Sequence, residues 1–286
     1  MSSFGVFNKI SDEEYLKREY RALMGYELDL NNPKTFNEKL QWLKLNNRKP
    51  EYTMMVDKYL VRQYIADKLG KEYLIPILGV WDDPDEIDFE RLPNKFVLKC
   101  NHNSGLGMCI CKDKTKLNIE KTKKKLKKGI KQDYYMLHRE WPYKNVKRKI
   151  IAEKYMVEAN GEDLKDYKFM CFNGEVKCSF VCSDRFSDDG MKVTFFDANW
   201  NVMPFERHYP KSTETIQKPI NYKKMIEFAE KLSKGIPFLR VDFYEIEGKI
   251  YFGELTFFPG SGFEEFTPNE ADYELGKLIK LTSNKN

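Results

Sequence analysis

The stretch from Phe238 to Phe257 constrains this chain more than any other. It reads FLRVDFYEI, then EGK, then IYFGELTF, two alternating arms around a glycine-containing turn, which predicts an antiparallel hairpin. A turn of Glu247, Gly248 and Lys249 would set Ile246 opposite Ile250, Asp242 opposite Glu254, and Arg240 opposite Thr256. One face then carries Arg240, Asp242, Glu254 and Thr256. The other carries Leu239, Val241, Phe243, Tyr251, Leu255 and Phe257, an apolar set that marks the core side.

Two carboxylates directly opposite on a sheet stand ~5 Å apart at Cβ and repel. They need a cation between them or a raised pKa. Mg²⁺ takes one or two carboxylates together with phosphate oxygens and water, which Asp242 and Glu254 could offer beside a nucleotide. The alternative is an exposed strand face on which Arg240 bridges the two acids. This segment by itself leaves both readings open.

Two further segments carry chemistry. In Phe96–Gly107 an apolar run ends at Lys99 and enters a polar glycine loop through Asn101, His102, Asn103, Ser104 and Gly105. Backbone N–H groups of such a loop can surround phosphate oxygens while a lysine adds a point charge, although the P-loop pattern is absent. Lys99 could equally extend its stem from a strand end. In Ile150–Met156 an apolar strand runs into Glu153 and Lys154, and on the following Asp166–Phe169 strand Asp166 and Lys168 share a face. An acid there can hold ribose hydroxyls and a lysine can reach phosphate; the competing reading is an ordinary cross-strand ion pair.

Around these segments the pattern is α+β. Helical spacing dominates the first ninety residues until Gly70, with Thr35 before Phe36, Leu40 and Leu43; Asp82 to Glu86 reads as a turn and helix cap. After Pro93 strands alternate with a lysine-rich helix from about Ile119. Asn173-Gly174 marks a hairpin, and helices are expected over Tyr222–Lys234 and Asn269–Leu281. With 286 residues, 41% of them apolar, and 20 Phe and 17 Tyr, a wholly disordered chain is excluded. The division expected is a mainly helical region over 1–93, a small lobe over 94–163 and a large lobe over 164–286.

The longest apolar stretch, Leu74–Trp81, contains Pro76 and Gly79 and is far shorter than the ~20 residues a bilayer requires. Met1–Glu14 lacks signal-peptide order, so a cytoplasmic location is expected. Six cysteines without C-x-x-C pairs read as buried thiols. A metal cluster of Cys100, His102, Cys109 and Cys111 has spacing unlike zinc knuckles. Ten lysines between Lys112 and Lys131 give either a solvated helix face or an electropositive lip over an anionic substrate; without interleaved aromatics they do not point to nucleic acid.

Taken together, the strand lysine with its glycine loop, the Glu-Lys-Tyr-Met hinge and the Arg-x-Asp, Glu-x-Thr hairpin resemble the ATP-grasp ligases. Asp166-Tyr167-Lys168-Phe169, Phe172-Asn173-Gly174 and Gly253–Phe263 resemble more closely the TupA-like ATP-grasp family of teichuronopeptide and capsule biosynthesis. The N-terminal Asn32–Leu40 and the stretch from Asp57-Lys58 to Pro76 fit it too, so that the resemblance spans about residues 12 to 282. It implies an ATP-grasp fold of two α+β lobes clamping ATP. It assigns Lys99 to the phosphates under the loop of Asn103, Ser104 and Gly105, and Glu153, Lys154, Tyr155 and Met156 to the adenine hinge. Asp166 falls near the ribose and Lys168 near the phosphates. Asp242, Glu254 and Thr256 would hold Mg²⁺, Thr256 standing where many relatives have Asn. Arg240 would face the reacting carboxylate, and Gly260, Ser261 and Gly262 the acceptor.

The activity implied is ATP- and Mg²⁺-dependent joining of a carboxylate to an amine through an acyl phosphate. The substrates would be an acidic saccharide, such as a uronic acid of a bacterial capsular or cell-wall polysaccharide, and an amine or amino acid. Peripheral association with membrane-bound glycan machinery goes with that role, and the oligomeric state is left open. Two alternatives share the composition: a phosphotransferase acting on a glycan hydroxyl, and a nucleotide-sugar glycosyltransferase, to which Asp83-Pro84-Asp85 lends a superficial D-x-D pattern that helix capping also explains.

Overall fold

A computed structural model describes residues 9–157, 164–183 and 190–281. Residues 1–8 of the Met1–Glu14 segment, the boundary at residue 163 and the end of the resemblance at residue 282 lie outside the described residues. The chain forms two compact units, one joining Met1–Arg48 to Leu164–Asn286, the other Lys49–Asp163. The helical first ninety residues are thus shared between the units.

The first unit begins with α1 (Asp12–Met24) and α2 (Phe36–Asn46). Thr35 caps α2 in a reciprocal box with Glu38, so the helix starts where the sequence places its signal. α2 is fastened to the C-terminal part of the same unit. Asn37 Nδ2 donates to Asp272 Oδ2 at 2.9 Å and to the Glu264 carbonyl at 2.9 Å, and Lys39 donates to the carbonyls of Gly276 and Ile279.

The second unit contains α3 (Pro50–Val56), α4 (Val61–Lys68), β1 (Ile77–Trp81), β2 (Phe96–Cys100), β3 (Cys109–Cys111), α5 (Ile119–Ile130), α6 (Tyr135–His138) and β4 (Ile150–Lys154). Its strands pair antiparallel in the order β1-β4-β2-β3. β1 lies in a stretch read as part of a mainly helical region. Its partner is more than sixty residues downstream, and no local pattern reveals that pairing. The core comprises Ile87, Phe89, Leu92, Phe96, Leu98, Leu126 and Ile150. On α5, Thr122, Leu126 and Gly129 are buried while Lys121, Lys124, Lys125 and Lys128 face solvent, and Lys123 and Lys127 pair with Asp85. The lysine run is therefore the outer face of an amphipathic helix.

The chain then returns to the first unit with β5 (Asp166–Phe172), β6 (Glu175–Ser183), β7 (Lys192–Asp197), β8 (Glu206–Arg207), α7 (Tyr222–Ser233), β9 (Phe238–Ile246), β10 (Lys249–Thr256), β11 (Phe266–Thr267) and α8 (Glu270–Leu278). Five strands form an antiparallel sheet in the order β10-β9-β5-β6-β7, and β8 pairs with β11. Asn173-Gly174 makes the expected two-residue hairpin, with Phe172 opposite Glu175. α7 covers one face of the sheet: Tyr222 packs on Phe169, and Phe228 lies near Phe243. The other face is partly covered at one end, where Phe36 of α2 meets Phe172, Phe238 and Phe266. Beyond that end the same face carries Asp166, Lys168, Arg240 and Asp242 alongside Phe180 and Phe195. No described helix is long and apolar enough to cross a membrane.

Candidate functional site

The face carrying Asp242 depends on a register change that the sequence alone did not reveal. The β9–β10 turn has two residues rather than three: Glu247 and Gly248 both adopt positive φ, 50° and 73°, so Lys249 rather than Ile250 lies opposite Ile246. Paired glycine-type dihedrals suit the right-handed twist of a tight hairpin, which the three-residue expectation overlooked. Near the turn, Tyr251 is opposite Tyr244 and Phe252 opposite Phe243, so Phe252 is buried and Tyr251 sits on the half-exposed face. The expected placement of Tyr251 in the core is thereby corrected.

Between Phe252 and Leu255 the register slips by one residue, after which Leu255 faces Val241 and Thr256 faces Arg240. The extra residue in this bulge reverses the facing of the residues beyond it. Without it, Glu254 would point with Phe252 into the core. With it, Glu254 and Thr256 join Asp242 and Arg240, and the expected pairing of Arg240 with Thr256 is recovered by a different route. Gly253 fits the bulge because a Cβ there would lie 3.0 Å from the Asp242 carbonyl oxygen.

A single row of side chains crosses the sheet. Phe195 is opposite Phe180, Phe180 opposite Lys168, and Lys168 opposite Asp242. Lys168 Nζ donates to Asp166 Oδ2 at 2.6 Å and to Asp242 Oδ2. Arg240 donates through Nε to Asp242 Oδ1 and through Nη2 to Asp242 Oδ2, both at 2.7 Å, and Nη2 also reaches Glu254 Oε1 at 2.6 Å. The Thr256 hydroxyl donates to the same Glu254 oxygen at 3.2 Å. The sheet thus brings Asp166, Lys168, Arg240, Asp242, Glu254 and Thr256 together.

This network is buried at Asp242 and opens to solvent at Glu254. The Asp242 side chain is 1% exposed and that of Glu254 40%. Burial pushes the Asp242 carboxyl above the usual aspartate range, against the pull of Arg240 and Lys168. For Lys168 burial works downward, but Asp166 and Asp242 outweigh it and the ammonium is held above its ordinary value. Arg240 is likewise raised: burial opposes its charge, and Asp242 and Glu254 more than compensate.

Three carboxylates face two cations, which leaves one negative charge in excess. The donors are oxygens, the set a hard cation prefers. Among the described residues no group of three or more His, Cys, Asp or Glu side chains converges on an ion unaided. The exposed Glu254 has the reach for it, whereas both oxygens of Asp242 are already engaged.

In the other unit, Lys99 Nζ pairs with Glu153 Oε2 at 2.6 Å, and Arg62 approaches Glu153 Oε1 at 3.9 Å. The Lys154 N–H is used by the Pro76 carbonyl. Tyr155 lies near Lys112, and Tyr155 and Met156 come just after the end of β4, half-buried. In the glycine loop, Asn103 is buried and its Nδ2 donates to the Gly129 carbonyl and Gln132 Oε1, both at 3.1 Å, while Ser104 and Gly105 are exposed. His102 is buried with Nε2 3.0 Å from the Gln132 carbonyl, and burial lowers its pKa to about 4.

The segment after β10 is unusual in its backbone. Gly260, Ser261 and Gly262 have φ of 55°, 54° and 67°, consecutive left-handed residues that two glycines make accessible. α2 holds this loop from beneath. Gln41 Nε2 donates to the carbonyls of Ser261 and Gly262, and the buried Lys44 donates to the Ser261 carbonyl at 2.8 Å. Beside it lie two residues that sequence reasoning missed. Arg207 Nε is 2.9 Å from Glu264 Oε2, and its guanidinium carbon stands 4.7 Å from the Phe180 ring centre. Arg207 occupies a two-residue strand without a motif; only the acidic pair after the glycine loop hinted at a basic partner.

A family model described as TupA-like ATPgrasp matches residues 38–280. No curated protein matches the chain. Among solved structures it is similar to D-alanine–D-alanine ligase from Helicobacter pylori, at 16% identity and a TM-score of 0.43, covering 79% of this chain and 62% of that one. It is also similar to D-alanine–D-alanine ligase from Bacillus anthracis complexed with ATP, at 14% identity and 0.42, covering 71% and 53%. The ATP-grasp ligase PsnB complexed with minimal precursor is similar at 9% identity and 0.39, covering 73% and 53%. The chain spans less than two thirds of the length of each of these structures.

Proposed function

The chain belongs to the TupA-like ATP-grasp family, and from that premise we propose that it is an ATP- and Mg²⁺-dependent carboxylate–amine ligase. The substrates we infer are an acidic saccharide of a bacterial surface polysaccharide and an amine or amino acid. The observation that carries this reading is the network on the five-stranded sheet, where Arg240 and Lys168 are fixed beside Asp242 and Glu254. Fixed charges of both signs at one place suit a reaction in which negative charge moves between phosphate and carboxylate.

In this reading a substrate carboxylate oxygen attacks the γ-phosphorus of ATP, and ADP leaves. The amine then attacks the acyl carbon, loses a proton, and displaces phosphate to leave an amide. Glu254 would hold Mg²⁺, with Thr256 beside it and Asp242 joining only by releasing one of its present donors, and the ion would supply neutralisation of the phosphate charge. Lys168, whose ammonium Asp166 and Asp242 hold above its ordinary pKa, presents its charge toward the phosphates; Lys99 is a separate candidate phosphate contact, carried by the family resemblance. Arg240 Nε and Nη2 are locked by carboxylates, which fixes the plane of the guanidinium; Nη1 is the donor left for the oxyanion of the tetrahedral intermediate. The clamped Gly260–Gly262 loop orients the acceptor.

The test is a screen for ADP release in which uronic acids are paired with amino acids in the presence of Mg²⁺. The reading expects release that depends on both partners, with an amide product. ADP release with a phosphorylated saccharide and no amide would replace it by phosphotransfer, and no release with any pair would remove it.

A further inference from the structure

Arg207 is 6% exposed, and its Nε and Nη1 atoms have no hydrogen-bond partner among the described residues. Its ion-pair partner Glu264 is close to Nε, but the two are not aligned as a hydrogen bond, and Glu264 Oε2 is equally unsatisfied. Leaving a buried guanidinium donor without an acceptor is costly, so such a donor marks a place where an acceptor belongs. The location is specific. Arg207 stacks over Phe180 and Phe195, at 4.7 and 5.4 Å from their ring centres, and the Arg240 guanidinium lies 6.0 Å from the same Phe180 ring. Both guanidiniums therefore lie over the same face of the five-stranded sheet, Arg207 reaching it from the neighbouring β8, in one unit. Arg240 has committed most of its donors to Asp242 and Glu254; Arg207 has not. Glu264 also ties the position to the left-handed loop, because a Cβ on Gly260 would collide with the Glu264 carboxyl group.

We propose that Arg207 binds a carboxylate of the acidic substrate, with Glu264 as the internal counter-ion that the substrate displaces. A guanidinium matches a planar carboxylate through paired N–H donors, and it does so best where water is excluded. The identity of the substrate rests on the ligase reading; the oxyanion chemistry of Arg207 does not. The two rings beneath the guanidinium hold its plane, so the site is prepared for a flat anion rather than a bare point charge.

The experiment measures binding of sodium glucuronate to the full chain by titration calorimetry without ATP. Glucose tests the sugar without its carboxylate, and inorganic phosphate tests a different oxyanion, both at matched ionic strength. Wild type should bind glucuronate, more weakly phosphate, and not glucose. Arg207→Met should weaken glucuronate binding at least tenfold. Glu264→Gln removes the competing carboxylate and should tighten it, a change of opposite sign that a merely structural ion pair would not produce. Absence of glucuronate binding in wild type, equal binding by folded Arg207→Met, phosphate bound more tightly than glucuronate, or weakening in Glu264→Gln would each overturn the proposal. If Arg207→Met fails to fold, the Glu264→Gln result decides. Because binding is read without turnover, glucuronate bound in this way without any ADP release would count against the ligase reading alone.

Discussion

Asp242→Asn and Glu254→Gln remove one charge each from the same network, yet the geometry separates them. Asp242 accepts three hydrogen bonds, from Arg240 Nε, Arg240 Nη2 and Lys168 Nζ, with its side chain 1% exposed. An asparagine in that place must turn its NH₂ toward one of those donors whichever way it is flipped, and burial keeps water from relieving the clash. Breaking a buried pair of this kind costs about 3–5 kcal/mol. For a unit of this size each kcal/mol moves Tm by about 2–4 °C, so a fall of roughly 6–20 °C is expected. Glu254 differs: its Oε1 accepts from Arg240 and Thr256, and the side chain is 40% exposed. A glutamine can keep its carbonyl on Arg240 and turn the NH₂ outward, at a cost below about 1 kcal/mol. Both variants should nonetheless lose at least about a hundredfold in ADP release, since a carboxylate near the metal serves the transferring charge. Scanning fluorimetry and a coupled ADP assay on both proteins suffice. Equal Tm values for the two variants would refute the buried-network argument, and near wild-type turnover by Glu254→Gln at saturating Mg²⁺ would refute the metal assignment.

Gly253→Ala should lower stability by about 1–3 kcal/mol and reduce activity with it, because the new methyl group meets the Asp242 carbonyl oxygen at 3.0 Å and strains the bulge that aims Glu254; an unchanged melting curve would contradict that. Lys99→Ala should weaken ATP binding by about 10-fold or more, the worth of one charge-assisted contact, as read by titration calorimetry. Burial lowers the His102 pKa from 6.5 to about 4, so its neutral form is favoured in the fold and the charged form when unfolded. Its contribution is present above pH 6.5 and is lost as pH falls through 4, about 3 kcal/mol in all. Urea denaturation between pH 7 and 4.5 should therefore show a shallower pH dependence in His102→Asn than in wild type.

Much of the site was legible because it rests on local alternation. Arg240 and Asp242 share a face by spacing alone, as do Asp166 and Lys168, and the apolar residues between them fix which side is buried. The facing of Glu254 was reached through two errors that cancel, a turn one residue shorter than expected and a bulge one residue longer. Neither has a strong signature, since the sequence EGK allows either turn and Gly253 marks the bulge only once its neighbour's carbonyl is located. Arg207 and Glu264 were out of reach for another reason. Their partners come from distant strands, and a buried guanidinium without an acceptor is a property of packing. The long-range pairing of β1 with β4 and the fastening of α2 to Asp272 and Gly262 belong to the same class.

The measurement closest to the central claim is interception of the acyl phosphate. An acyl phosphate is an electrophile that a small strong nucleophile can capture. With ATP, Mg²⁺ and the uronic acid that supports ADP release, hydroxylamine in place of the amine should yield a hydroxamate together with ADP and free phosphate in equal amounts, and Glu254→Gln should suppress all three products together. A stable phosphorylated saccharide, formed with ADP but without hydroxamate, would contradict the account.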